Sequence, residues 1–115
     1  MRNLFFILIF SLSLSVSSEE TISRWMADYF KRIHDHIGNE NYEKAQNELE
    51  MGDKNYFRGG RTYEAALLYQ LYGQFYAVQS QYTNAIPWFE KALATGKMPR
   101  IGQQEVRFQL AQTYF

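Results

Sequence analysis

Four stretches of the chain could do chemistry by residue type alone. The first is HDH, His34 to His36, which invites a metal. Residues two apart on a helix point to nearly opposite sides, so this pair does not share an ion. Helical zinc histidines prefer an interval of four. His36 and Glu40 have it, but Gly38 and Asn39 between them read as a helix end. The second is FRGGRT, Phe57 to Thr62, which has the glycines of a phosphate loop but neither its Gly-Lys-Ser/Thr ending nor a preceding strand. Arg58 and Arg61 could hold an anion; two glycines between helices more often serve as a helix stop. The third is the carboxylate pair Glu48 and Glu50, on a helix surface with no pocket implied. The fourth is YQLYGQFY, Tyr69 to Tyr76, dense enough in rings for a stacking platform. No Ser/His/Asp arrangement stands out. The expectation is a protein that is not an enzyme, with no catalytic, cofactor-binding or metal-binding residues and no cofactor.

Composition narrows the class. The chain has 115 residues, enough for one modest domain. Twelve Lys+Arg balance twelve Asp+Glu, which argues against a nucleic-acid partner. With no cysteine there is no disulfide framework and no thiolate site. Residues 1–18, MRNLFFILIFSLSLSVSS, combine Arg2, an apolar run from Leu4 to Leu14, and small residues with Val16 and Ser18 at signal-peptidase spacing. They read as a secretory signal peptide cut after Ser18. The apolar run is too short for a span of ~20 residues. A retained anchor is the alternative. The expected compartment is the periplasm or the exterior, with no stable membrane span after cleavage.

From residue 19 to 115 the apolar spacing is helical throughout, with no alternating pattern. Ile22, Met26, Tyr29, Ile33 and Ile37 form one stripe, stopped by Gly38 and Asn39. A second helix carries Tyr42, Ala45 and Leu49 and runs to about Tyr56. After the Arg58–Thr62 loop, Thr62 caps a third helix, Tyr63 to Gln79. A fourth carries Tyr82, Ala85, Phe89, Ala92 and Leu93. A connection from Thr95 to Gly102 leads to a last helix, Gln103 to Phe115. The helices repeat in pairs. Tyr42, Ala45 and Leu49 correspond to Tyr82, Ala85 and Phe89 at an offset of 40. YGQFY and LAQTY correspond at an offset of 38. Such periods signal an α-solenoid.

These residues resemble the tetratricopeptide repeat, W-x2-L-G-x2-Y, then A-x3-F, then P. Tyr69, Tyr72, Gly73 and Tyr76 match its first part, with Tyr for Trp and for Leu; Ala85 and Phe89 match the second, and Pro99 comes slightly late. Residues 62–97 are the best-matching repeat. Residues 21–57 are a degenerate one, with Arg32 and Ile33 in place of Leu-Gly, and 103–115 are the first helix of an incomplete one. The expected fold is thus all-α, about two and a half repeats of antiparallel helix pairs. Tyr69, Tyr72, Gly73, Tyr76, Tyr82, Ala85, Phe89 and Ala92 are then packing residues, and the tyrosine cluster is mortar rather than a ligand platform. The resemblance implies a concave groove lined by the first helix of each pair. Phe30, His34, Gln70, Gln74, Phe108 and Gln112 would face it, offering amides and rings to an extended peptide.

The function implied is an exported scaffold for protein–protein interaction in the cell envelope. Tyr42 to Pro99, followed by VRFQLAQTYF, is similar to the periplasmic tetratricopeptide proteins that accompany TonB-type energy-transduction systems, chiefly in the long connection before the last helix. The resemblance names no client. An alternative is the accessory repeat region of an envelope enzyme, such as one acting on peptidoglycan, whose catalytic part lies outside this sequence. The apolar face of LAQTYF has no partner helix in the sequence. The expectation is therefore a fragment, a truncated product, or self-association through the C-terminal helix.

Overall fold

The computed structural model describes residues 24–57 and 62–114. The expected signal segment, the start of the first helix, residues 58–61 of the glycine loop and Phe115 lie outside them. Five α-helices make up the described chain: α1 Arg24–Gly38, α2 Tyr42–Gly52, α3 Tyr63–Ala77, α4 Tyr82–Ala94 and α5 Arg100–Tyr114. No strand occurs among the described residues, so the all-α expectation holds. One turn is not α-helical: from Asp53 to Phe57 the chain continues α2 as a π-helix.

α1 and α2 form one hairpin, α3 and α4 another. Their turns are built alike. Glu40 (φ 60°) and Ser80 (φ 62°) adopt the left-handed conformation. The next residue's N–H reaches back five residues: Asn41 to the His36 carbonyl at 2.8 Å, Gln81 to the Tyr76 carbonyl at 2.9 Å. This Schellman-type closure satisfies end carbonyls that would otherwise be orphaned. The two left-handed residues are 40 apart, the offset of the Tyr/Ala/large pattern. The first helix ends at Gly38, where the sequence places its stop, and Glu40 takes the left-handed position.

Each helix is positioned by a few identifiable contacts. The Tyr29 hydroxyl of α1 donates to the Glu48 carbonyl of α2, and Arg32 Nε lies 2.5 Å from Glu48 Oε2. Tyr42 of α2 meets Phe75 of α3 edge-on, ring centroids 6.2 Å apart. Thr62 Oγ1 accepts from the Ala65 N–H at 3.1 Å, the expected N-cap. α3 is the central helix, packed against α1, α2, the π-helical turn and α4. It is buried on nearly every side, which its apolar residues on two faces require. Phe89 of α4, wholly buried, fills the space over Gly73. Burying a side chain of that size stabilises by roughly 1.5–3 kcal/mol. Pro87, the sixth residue of α4, lacks the N–H that would bond the Thr83 carbonyl, so α4 forgoes one backbone bond there. After α4, Gly96 (φ 66°) takes the left-handed position that glycine adopts without penalty. α5 then starts at Arg100, three residues before the sequence suggests. The Pro99 carbonyl accepts from Gln103 N–H at 2.9 Å, so the proline opens the helix, as proline can.

Candidate functional site

The packing residues come together between α3 and α4. Tyr69, Tyr72, Gly73, Ala85, Phe89 and Ala92 are buried; Tyr76 and Tyr82 are half-buried against the same core. Tyr72 stacks on Trp88, centroids 3.9 Å apart and planes 8° from parallel. Lys91 Nζ stands 4.5 Å from the Tyr69 ring centroid and 5.0 Å from that of Trp88. Such cation–π contacts contribute about 0.5–1 kcal/mol near a surface. Burial pushes the Tyr72 phenol well above its ordinary range, helped by the nearby Asp53 and Glu50 charges. Burial thus favours the neutral phenol, with its ring packed on Trp88. Sequence reasoning did not single out Trp88 or Lys91. The signal available was WFEK, a ring pair followed one helical turn later by a cation.

Beside this stack lies an open depression of about 440 Å³ lined by Tyr76, Thr83, Asn84, Pro87, Trp88 and Lys91. Its one cation already lies against two rings. No carboxylate or imidazole is among its lining residues.

The six groove residues do not form an open groove. Phe30, Gln70 and Gln74 have no exposed surface; His34 and Gln112 are half-buried; only Phe108 is exposed. The reason lies in α3. Its glutamines are held inside the fold, and Gln70 Nε2 donates to Gln109 Oε1 of α5 at 3.0 Å. The amide dipoles expected to meet a peptide backbone instead join two helices. The pair is only half-closed: Gln70 Oε1 and Gln109 Nε2 are buried without a protein partner. His34 and His36 sit on α1, and no cluster of three His, Cys, Asp or Glu able to hold a metal exists among the described residues. No described helix is long and apolar enough to cross a membrane.

The exposed apolar surface lies at the ends of the helix series. On α5, Ile101, Phe108 and Tyr114 are half or more exposed. Ile101 and Phe108 are seven apart, hence on one face, with exposed Gln104 and Ala111 beside them. On α3 the residues matching Leu110, Ala111 and Tyr114 are Tyr72, Gly73 and Tyr76, and α4 covers them. No described helix covers α5 in the same way: Tyr114 reaches only the edge of α4, its hydroxyl 3.4 Å from Glu90 Oε2. At the other end Trp25 and Met51 are exposed. α5 is therefore the face best suited to a macromolecular contact, and of the expected groove residues Phe108 and the half-buried Gln112, four apart, lie on it. No protein-family model, curated protein or solved structure matches the chain.

Proposed function

We propose that this protein is an exported scaffold of the tetratricopeptide type, whose work is protein–protein interaction in the cell envelope. The observation that carries the reading is the α5 face. Ile101, Phe108 and Ala111 stay exposed on it, and the counterpart of Ala111 on α3, Gly73, is covered by Phe89 of α4. An apolar helix face of this kind suits another helix laid along it. The two like-built hairpins support a solenoid reading, since Glu40 and Ser80 repeat the same turn at the period of the sequence. The signal-type segment supports export. The partner sits on the outer face of the last helix rather than in a glutamine-lined groove.

A photo-cross-linking residue placed at Phe108, compared with one at the exposed Lys44 of α2, tests this in the protein's own cell. A discrete cross-linked protein at 108 and none at 44 is the expected result, in the envelope fraction. Equal labelling at both positions, or none at 108, would overturn the assignment of the face.

A further inference from the structure

The α5 face has an occupant that the chain itself can supply. Resting on the scaffold reading, we infer that a second copy docks there head-to-tail, presenting the outer face of its α1–α2 hairpin. The five most exposed large apolar side chains among the described residues are Trp25, Met51, Ile101, Phe108 and Tyr114. Two lie on the first hairpin and three on α5; the α3–α4 hairpin has none. Among the described residues, the exposed large apolar side chains thus fall on the first hairpin and on α5.

Trp25 and Met51 both lie beside the seam of α1 and α2. Trp25 lies one turn before Tyr29, ring centroids 6.5 Å apart. The Tyr29 hydroxyl bonds the Glu48 carbonyl and crowds Gly52, the neighbour of Met51. Met51 faces away from α3. Met51 follows Tyr42 by nine residues, half a revolution at 100° per residue, and Tyr42 is the residue that touches α3. Phe108 likewise lies two residues, about 200°, from the buried Val106.

The charges of the two ends are complementary. Residues 24–57 hold five basic and seven acidic side chains, a net of −2. Residues 95–114 hold three basic and one acidic, a net of +2. A head-to-tail contact brings opposite signs together. A two-fold pairing of α5 with α5 would set Arg100 and Arg107 of both copies side by side, which costs energy. The contact is therefore heterologous, and one that does not close builds chains of copies rather than a dimer.

The test uses the full coding sequence, the soluble product and three proteins: wild type, Met51→Lys and Phe108→Glu. Both substituted residues are exposed, so the fold is kept; circular dichroism checks it. Wild type should grow in mean mass over a ~100-fold concentration range in ultracentrifugation, by mass action, and less so at high salt. Each variant alone should be a monomer, because each has one dead end. Mixed, they should form a 1:1 dimer and nothing larger, because one live head meets one live tail. A monomeric wild type overturns the inference. So does a Met51→Lys protein that still self-associates, which indicates α5–α5 pairing, or a mixture that stays monomeric. Cross-linking of a different protein at Phe108 with a monomeric wild type would leave the scaffold reading standing and remove only the self-docking.

Discussion

A Cβ built on Gly73 would stand 2.5 Å from two carbons of the Phe89 ring. That ring is wholly buried, so it cannot swing into solvent to make room. Two effects compete when Gly73 becomes alanine. Helix propensity favours alanine by about 1 kcal/mol. Overpacking a filled core costs about 1–3 kcal/mol. The clash wins here because the obstacle is the body of a ring, not the tip of a flexible chain. Gly73→Ala should therefore lower stability by roughly 1–2 kcal/mol, read as a lower urea midpoint. Gly38→Ala is the matched comparison. It sits in a helix with nothing within 4 Å of the added carbon, so only propensity acts and stability should rise. Equal effects at the two glycines would show that Gly73 is not the contact point of α3 and α4. The same contact explains why the tyrosines around Gly73 are packing: Phe89 fills the space over Gly73 and Trp88 stacks on Tyr72, while half-buried Tyr76 borders the open depression.

Elements are joined by turns whose strain is local. Glu40 and Ser80 hold left-handed backbone that costs a non-glycine residue roughly 1–2 kcal/mol. Glycine there removes the clash but adds chain entropy to the unfolded state. Glu40→Gly and Ser80→Gly should each stabilise by about 0.5–1 kcal/mol, seen as a higher melting temperature. Loss of stability in both would mean that the left-handed turns are not as described. These turns also mark how far the sequence can be read. The Tyr42/Ala45/Leu49 and Tyr82/Ala85/Phe89 stripes gave the helices and their pairing, because a 3.6-residue period reports directly on a buried face. The helix end at Gly38 was legible, but the turn behind it was not, since nothing in Glu40 advertises a left-handed conformation. The early start of α5 was hidden in the same way: Gly102 looks like loop, yet it is buried against Met98, whose Cε would lie 3.3 Å from an added Cβ. The groove failed for a different reason. Periodicity tells which residues share a face, but not what lies on that face. Nothing in the spacing of Gln70 and Gln74 announces that Gln109 will take up one of their amides.

Across the whole molecule, cohesion is unequal, and the inequality falls where the partner is proposed to bind. α3 buries thirteen of its fifteen residues, most of them apolar. α5 buries four: Gly102, Val106, Gln109 and Thr113. Only one of those carries a sizeable apolar side chain. Thr113 spends its hydroxyl on the Gln109 carbonyl of its own helix, at 2.7 Å, so it adds nothing across the seam. The Gln70–Gln109 bond is a neutral one, contributing about 1 kcal/mol, and it leaves two buried polar atoms unmatched, which offsets that gain. α5 should therefore open without unfolding the rest, while the centre of α3 opens only globally. Amide hydrogen exchange checks this. Backbone amides from Val106 to Ala111 should exchange at least ~10-fold faster than those from Leu67 to Gly73 in a dilute sample. Uniform protection across both helices would show that α5 is part of the same cooperative unit. A partner that covers Ile101 and Phe108 adds to α5 the apolar burial it lacks, so protection of α5, and not of α3, should rise with protein concentration if that partner is a second copy. A helix held this weakly from within is stabilised by what it binds, so docking on its outer face and ordering of the helix become one equilibrium.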